Sequence, residues 1–235
     1  PAVVVEEISA SQQEVQLGLV KANVTLLVSM VDGFNTPEAR DDPEFVSKKS
    51  SEYLTELSDV VSKYRGTMDR YISGSIAAFW NAPKPVPNHE IAACQAALEF
   101  KRRFASIKGS LGQESDKHLS LRLALDCGDT LAGNYGSLRR FTYTLVGSII
   151  PTATLIRDLN PTFGTKILIT RDVKKRVESF FLVRPVATVN INNGQRIVKL
   201  YELVSLLMGA DPECEFSSTF QSTLFSLNNT LGGSV

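Results

Sequence analysis

The stretch Tyr71-Ile-Ser-Gly-Ser-Ile-Ala-Ala-Phe-Trp-Asn-Ala-Pro83 decides how this chain folds. Two short strands, Met68 to Ile72 and Ile76 to Trp80, are read on either side of Ser73-Gly74-Ser75, whose composition suits a tight turn, so the segment predicts a β-hairpin. Downstream, Ala82-Pro-Lys-Pro-Val-Pro87 is a stiff connector, and Asn88 can cap a helix from His89 to about Ile107. Ile91, Ala92, Cys94, Gln95, Leu98 and Phe104 mark the turns of that helix. Upstream, Val24 to Val31 is rich in β-branched and aliphatic residues and reads as a buried strand that Asp32-Gly33 ends. Asp42-Pro43 suits a helix N-terminus, and Phe45, Tyr53, Leu54, Leu57, Val60, Val61 and Tyr64 keep helical spacing until Gly66 stops the run.

Further on, Leu119 to Cys127 alternates and reads as a strand. Thr130 to Tyr135 and Phe141 to Val146 read as two more, joined across Gly136-Ser137. Ile149 to Leu159 is a short helix, Lys166 to Thr170 a strand and Asp172 to Glu178 a helix. Phe181 to Asn190 and Arg196 to Leu203 close as a hairpin over Asn192-Asn193-Gly194. The order predicts an α+β fold: a ferredoxin-like βαββαβ core with extra αβ and ββ elements, its helices on one face of a mainly antiparallel sheet.

Composition narrows the function. The chain has 235 residues and 43% hydrophobic content, enough for one full core with an appendage. Lys plus Arg equals Asp plus Glu, 25 each, which argues against nucleic acid as a partner; Arg139-Arg140 is most simply a solvated hairpin tip. The longest apolar stretch is about a strand long, far short of the roughly 20 residues a membrane span needs. Three cysteines, Cys94, Cys127 and Cys214, with no CxxC spacing fit a reducing, intracellular setting and argue against structural zinc. His89 and His118 are too far apart to suggest a histidine site. The Pro1 start and the ragged end suggest a piece of a longer protein, placed on the cytoplasmic side.

Six segments in order carry a family resemblance. Tyr71 to Pro83 resembles the hairpin K-Y-I-G-D-A-V-M-A-F-W-G-A-P of class III adenylyl and guanylyl cyclases. His89 to Leu98 resembles their next helix, and Arg122-Leu-Ala-Leu-Asp-Cys-Gly128 their strand R-I-G-I-x-x-G. Ala132-Gly-Asn-Tyr-Gly-Ser137 is similar to A-G-N-I-G-S, Tyr143-Thr-Leu-Val-Gly147 to Y-T-V-I-G, and Val198 to Leu203 to the closing P-V-x-V-Y-E-L. The resemblance covers about residues 1–205, taken as a cyclase-homology domain, with 206–235 as a C-terminal extension.

The resemblance implies an internal phosphoryl transfer in which the ribose 3′ oxygen attacks the α-phosphate and pyrophosphate leaves. It also implies two metal ions, Mg2+ or Mn2+, held by carboxylates on strand one and in the hairpin. An Asn and an Arg on the short helix would hold ribose and phosphates, a late Lys would help, and a Lys with an acidic or Thr residue would read the purine. Those positions are degenerate here. The metal carboxylates fall on Met30 and Gly74, the ribose Asn on Pro151, the Arg on Leu155 and the late Lys on Asn192 or Asn193. A thioether is a poor magnesium ligand. A one-residue slip would put Ser75 at the hairpin position, again not a carboxylate. Only Arg70 and Thr144, at the purine-reading positions, stay polar. Asp32, about 6–7 Å further along strand one, is a turn residue or, as the alternative, a rescuing metal ligand. Arg157, about 200° around the helix from Leu155, cannot simply replace the missing Arg.

The leading expectation is therefore an inactive cyclase-homology domain without a cofactor. It would act as a dimerising, regulatory or scaffold module, as a homodimer or paired with another cyclase-homology domain. Two alternatives stay open: a sensor holding a purine nucleotide or other small molecule in the cleft without turnover, and an atypical adenylate cyclase that uses a metal. Restored carboxylates at Met30 and Gly74 could create a metal site but would leave ribose and phosphates unheld. Beyond Asp211-Pro212, Phe216, Phe220, Leu224 and Leu227 form one helical stripe, so a helix near 212–228 is expected as an interaction segment.

Overall fold

Strand β1 (Gly18–Asp32) is the spine of the molecule, because both of its edges are paired. The computed structural model describes residues 17–33, 43–72, 75–109, 119–137, 140–191 and 196–207. After β1 come α1 (Pro43–Lys63), the hairpin β2 (Thr67–Ile72) and β3 (Ser75–Trp80), α2 (His89–Gly109) and β4 (Ser120–Ser137). Then follow β5 (Arg140–Val146), α3 (Ile149–Asp158), α4 (Asn160–Phe163), β6 (Ile167–Thr170), α5 (Arg171–Val177), β7 (Phe181–Ile191) and β8 (Arg196–Leu206). The sheet order is β2-β3-β1-β4-β6-β8-β7, with β5 paired to β4. Its first four strands are the antiparallel βαββαβ core expected from the sequence.

Alternation along β1 gives the sheet two buried faces. Leu27 and Val31 pack with Tyr53, Leu57, Trp80, Phe100 and Phe104 under α1 and α2. Val24, Leu26 and Val28 pack with Phe79, Leu145, Ile149 and Ala153 under α3. The sheet thus has helices on both faces rather than the single helical face expected of a simple α+β layer; α3 is the element that covers the second.

Helices α1 and α2 are tied by Glu99, which accepts from Lys63 Nζ at 2.6 Å, Tyr64 Oη at 2.8 Å and Arg103 Nη2 at 2.7 Å. Burial pushes the Glu99 carboxyl up, but these donors outweigh it and hold it at about 2. Asn88 takes a left-handed conformation (φ 51°), and its backbone carbonyl accepts from the Ile91 and Ala92 amides at the start of α2.

Three expectations need correction. The two strands read on either side of Gly128 are one, because β1 is long enough to pair with β4 from Ser120 to Asn134. The chain does not turn at Gly136-Ser137, which still pair with Phe141 and Arg140. Gly136 serves close strand approach: a Cβ there would lie 2.4 Å from the Arg140 carbonyl oxygen, at φ 143°. Helix α4 was not foreseen; it is anchored by Asn160, whose buried amide donates to the carbonyls of Leu123 and Arg157, both at 2.9 Å.

At the far end of the sheet β7 carries Pro185 and two interruptions of register, between Leu182 and Val183 and between Pro185 and Ala187. Another interruption lies in β2 between Met68 and Arg70. No helix of the described residues is long and apolar enough to cross a membrane. Gly74, Asn192, Asn193, His118, Arg139 and the expected helix at 212–228 lie outside the described residues.

Candidate functional site

Residue 30 is the reference point, because register fixes its neighbours. Met30 pairs with Ser75 of β3 on one side and with Arg122 of β4 on the other. Strand alternation places Asp32 on the same side of β1, as expected, and Arg122 spans the two. Its Nη2 approaches the Met30 sulfur at 3.6 Å and donates to Asp32 Oδ1. Asp32 is therefore an ion-pair partner, neither a simple turn residue nor a free ligand. Arg122 Nη1 also reaches Asp158 Oδ1 at 3.5 Å, while its Nε is buried without a partner among the described residues.

Helix α3 supplies a second guanidinium. Ile149, Thr152, Ala153, Ile156 and Arg157 face inward, whereas Pro151 is exposed and Leu155 is 43% exposed. The two degenerate helix positions thus point away from the body of the domain. Arg157, only 6% exposed, turns to the sheet and donates from Nη1 to Ser75 Oγ at 2.7 Å. Its Nε and Nη2 form a two-point bond with Asp158, at 3.0 and 3.1 Å. Arg122 and Arg157 are the residues that sequence reasoning undervalued. The legible signal was Arg122 opposite residue 30 across an antiparallel pair, and Arg157 one turn beyond the inward Ala153.

Arg70 and Thr144, the two positions that the resemblance assigns to purine reading, also meet. Arg70 Nη2 donates to Thr144 Oγ1 at 2.6 Å, joining β2 to β5. Asp69 accepts from Arg70 Nε at 3.1 Å. The other Asp69 oxygen is buried without a partner among the described residues. The bulge in β2 takes Asp69 out of the ladder with β3 and leaves Arg70 opposite Ala77.

A third polar group lies under α2. The Thr25 hydroxyl and His89 Nδ1 are 2.7 Å apart, and burial lowers the His89 pKa against the pull of the nearby Glu90 carboxylate. A cavity of about 390 Å³ nearby is lined by Asn23, Glu90, Cys127, Asp129, Asp172 and Arg176, among others. Among the described residues no group of three His, Cys, Asp or Glu side chains is placed to hold a metal ion.

Asp126 adjoins this region. Burial raises its pKa, against the Thr170 hydroxyl at 2.9 Å and the Cys127 amide at 3.0 Å, which favour the charged form. A raised folded value means the native state holds the proton more tightly than the unfolded chain, so this group costs stability as pH rises through that window. Asp126→Asn keeps an acceptor for both donors. It is expected to raise the unfolding midpoint at pH 7, with a gain that shrinks as pH falls toward about 4. A lower midpoint at pH 7 would contradict this account.

No family profile matches the chain. It is similar to adenylate cyclase 1 of Rhizobium meliloti, 25% identical over 187 residues, which are 80% of this chain and 28% of that protein. The chain therefore spans under a third of that relative's length. The crystal structure of the adenylyl cyclase CyaB from P. aeruginosa superposes with a TM-score of 0.72 at 19% identity, covering 83% of this chain and all of that one. A non-canonical dimeric guanylyl cyclase domain from a Blastocladiella emersonii fusion protein superposes with a TM-score of 0.64 at 17% identity, covering 80% and 99%.

Proposed function

We propose that this chain, a cyclase-homology domain with the class III nucleotide cyclase fold, makes no cyclic nucleotide and serves as a dimerising, regulatory or scaffold module of a larger protein. One observation carries this reading. Where the resemblance puts a metal-binding carboxylate, the Met30 thioether sits against the guanidinium of Arg122. The residues present do not fit a divalent cation: Asp32 is paired with Arg122, and Arg157 holds Ser75. Hard cations take oxygen ligands that are free to coordinate.

Association is supported by exposed apolar side chains along one end of the β1–β4–β5 ladder. Val20, 66% exposed, and Phe141 lie on the α3 side of the sheet, and Leu131 and Tyr135, the latter 59% exposed, on the opposite side. Exposed apolar groups gathered at one end of a sheet mark candidate contact surfaces. The similar Blastocladiella domain is dimeric, which favours a second copy or another cyclase-homology domain as the partner. The stripe of Phe216, Phe220, Leu224 and Leu227 would add a further contact.

A second reading, purine nucleotide sensing, is favoured by the Arg70–Thr144 pair. Calorimetric titration with ATP, with and without Mg2+, decides between the two. No heat of binding is expected. Metal-independent binding that weakens at least about tenfold in Arg70→Ala, the loss of one or two charge-assisted bonds, would replace the module reading with the sensor reading.

A further inference from the structure

Building on the inactive-domain reading, we infer that Arg122 and Arg157 replace the divalent cations of this cleft as its fixed positive charges, and that they keep metal out even when carboxylates are restored. Four ionisable groups form a continuous mesh there, Asp32–Arg122–Asp158–Arg157. Arg122 contacts Asp32 and Asp158, and Arg157 contacts Asp158 and Ser75. Two guanidiniums against two carboxylates sum to zero, so the mesh is neutral without any ion from solution.

The residue type matters. Arginine stays charged at any physiological pH, is weakly hydrated and bonds carboxylates at two points, so it tolerates the burial seen for Arg157. A divalent cation entering here would have to detach Asp32 or Asp158 from its arginine. It would then lie within a few ångströms of two guanidiniums, Arg122 and Arg157, that stay tied to the sheet.

The mesh also changes what a restored carboxylate would do. Arg122 Nη2 is already 3.6 Å from the Met30 sulfur. The carboxylate of Met30→Asp would form beside this guanidinium and be captured by it. Ser75, opposite Met30 in register, is likewise within the reach of Arg157. The sequence suggested that restored carboxylates could create a metal site; the positions of the two arginines argue that they would create two more ion pairs.

Mn2+ binding by the full chain, followed by electron paramagnetic resonance, tests this. Three proteins are compared: wild type, Met30→Asp with Ser75→Asp, and that double variant with Arg122→Gln and Arg157→Gln added. Circular dichroism melts establish that each is folded. Wild type and the double variant are expected to take up no Mn2+ below about 1 mM, and the quadruple variant to bind at least about tenfold more tightly. Should the quadruple variant not fold, Arg157→Gln alone in the double-variant background is read the same way. Tight Mn2+ uptake by the double variant with both arginines intact would overturn the inference, as would the absence of any gain when they are removed. Neither result bears on the inactive-domain reading, which falls only if the wild type forms product.

Discussion

Incubated with ATP or GTP and either Mg2+ or Mn2+, the purified chain is expected to form no cyclic AMP or cyclic GMP. The expectation rests on the number of separate losses. One positioned donor is typically worth about 10² to 10³ in rate. An arginine that stabilises phosphoryl transfer is worth about 10³ to 10⁵. At the positions the resemblance assigns, Met30 offers a thioether, and Pro151 and Leu155 offer no polar side-chain atom at all. Such effects do not simply multiply, but the loss remains many orders of magnitude. Pairing with an active domain gives no rescue, since this chain lacks both the carboxylate set and the Asn–Arg set. Product measured by mass spectrometry, and abolished by Asp32→Ala, would show that the mesh around Arg122 opens to admit a metal.

The largest expected effect on stability comes from Trp80→Ala, a loss of about 3–5 kcal/mol, typical of a fully buried aromatic. Trp80 has no exposed surface, and its indole N–H donates to the Tyr64 carbonyl at 2.9 Å. It packs so closely on the turn after α1 that a Cβ at Gly66 would lie 2.7 Å from its ring. Truncation leaves a large cavity under α1 and orphans a carbonyl. Trp80→Phe fills most of the space and should cost far less, with about 1 kcal/mol for the hydrogen bond. Urea unfolding followed by far-ultraviolet circular dichroism measures both, since Trp80 is the sole tryptophan. A loss below about 1 kcal/mol for the alanine variant would mean that the hairpin is not held from this side.

These expectations draw on the sequence to different degrees. The hairpin, the two long helices and the closing strands were legible because each is a local matter of period, turn composition and capping. The single strand β4 was not, since Gly128 and Gly136 read locally as breaks. What keeps them in a strand is the length of β1 and the approach of β5, and both are long-range facts. The degenerate positions were legible as residue types: Met30, Pro151 and Leu155 lack the needed chemistry wherever they point. What occupies the cleft instead was not legible. By spacing alone, Arg157 reads only as a failed substitute for Leu155, two positions earlier on α3. Its actual role depends on a side chain turning inward to Ser75, 82 positions away in sequence. Asp32 by its sequence position suits a turn or a metal ligand; its pairing with Arg122 depends on the neighbouring strand, which local sequence does not show.

The irregularities in the outer strands bear on how copies of this domain can meet. A flat outer strand offers a row of unpaired amides on which a neighbouring chain can template, and growth in that direction has no natural end. Here Pro185 removes one donor from β7, and the two register breaks on either side of it bend the row. At the opposite end of the sheet, the break at Met68–Arg70 does the same for β2. Open-ended, fibre-like stacking through either border is therefore discouraged by the backbone itself. Assembly is left to side-chain surfaces, where shape and charge set a finite stoichiometry.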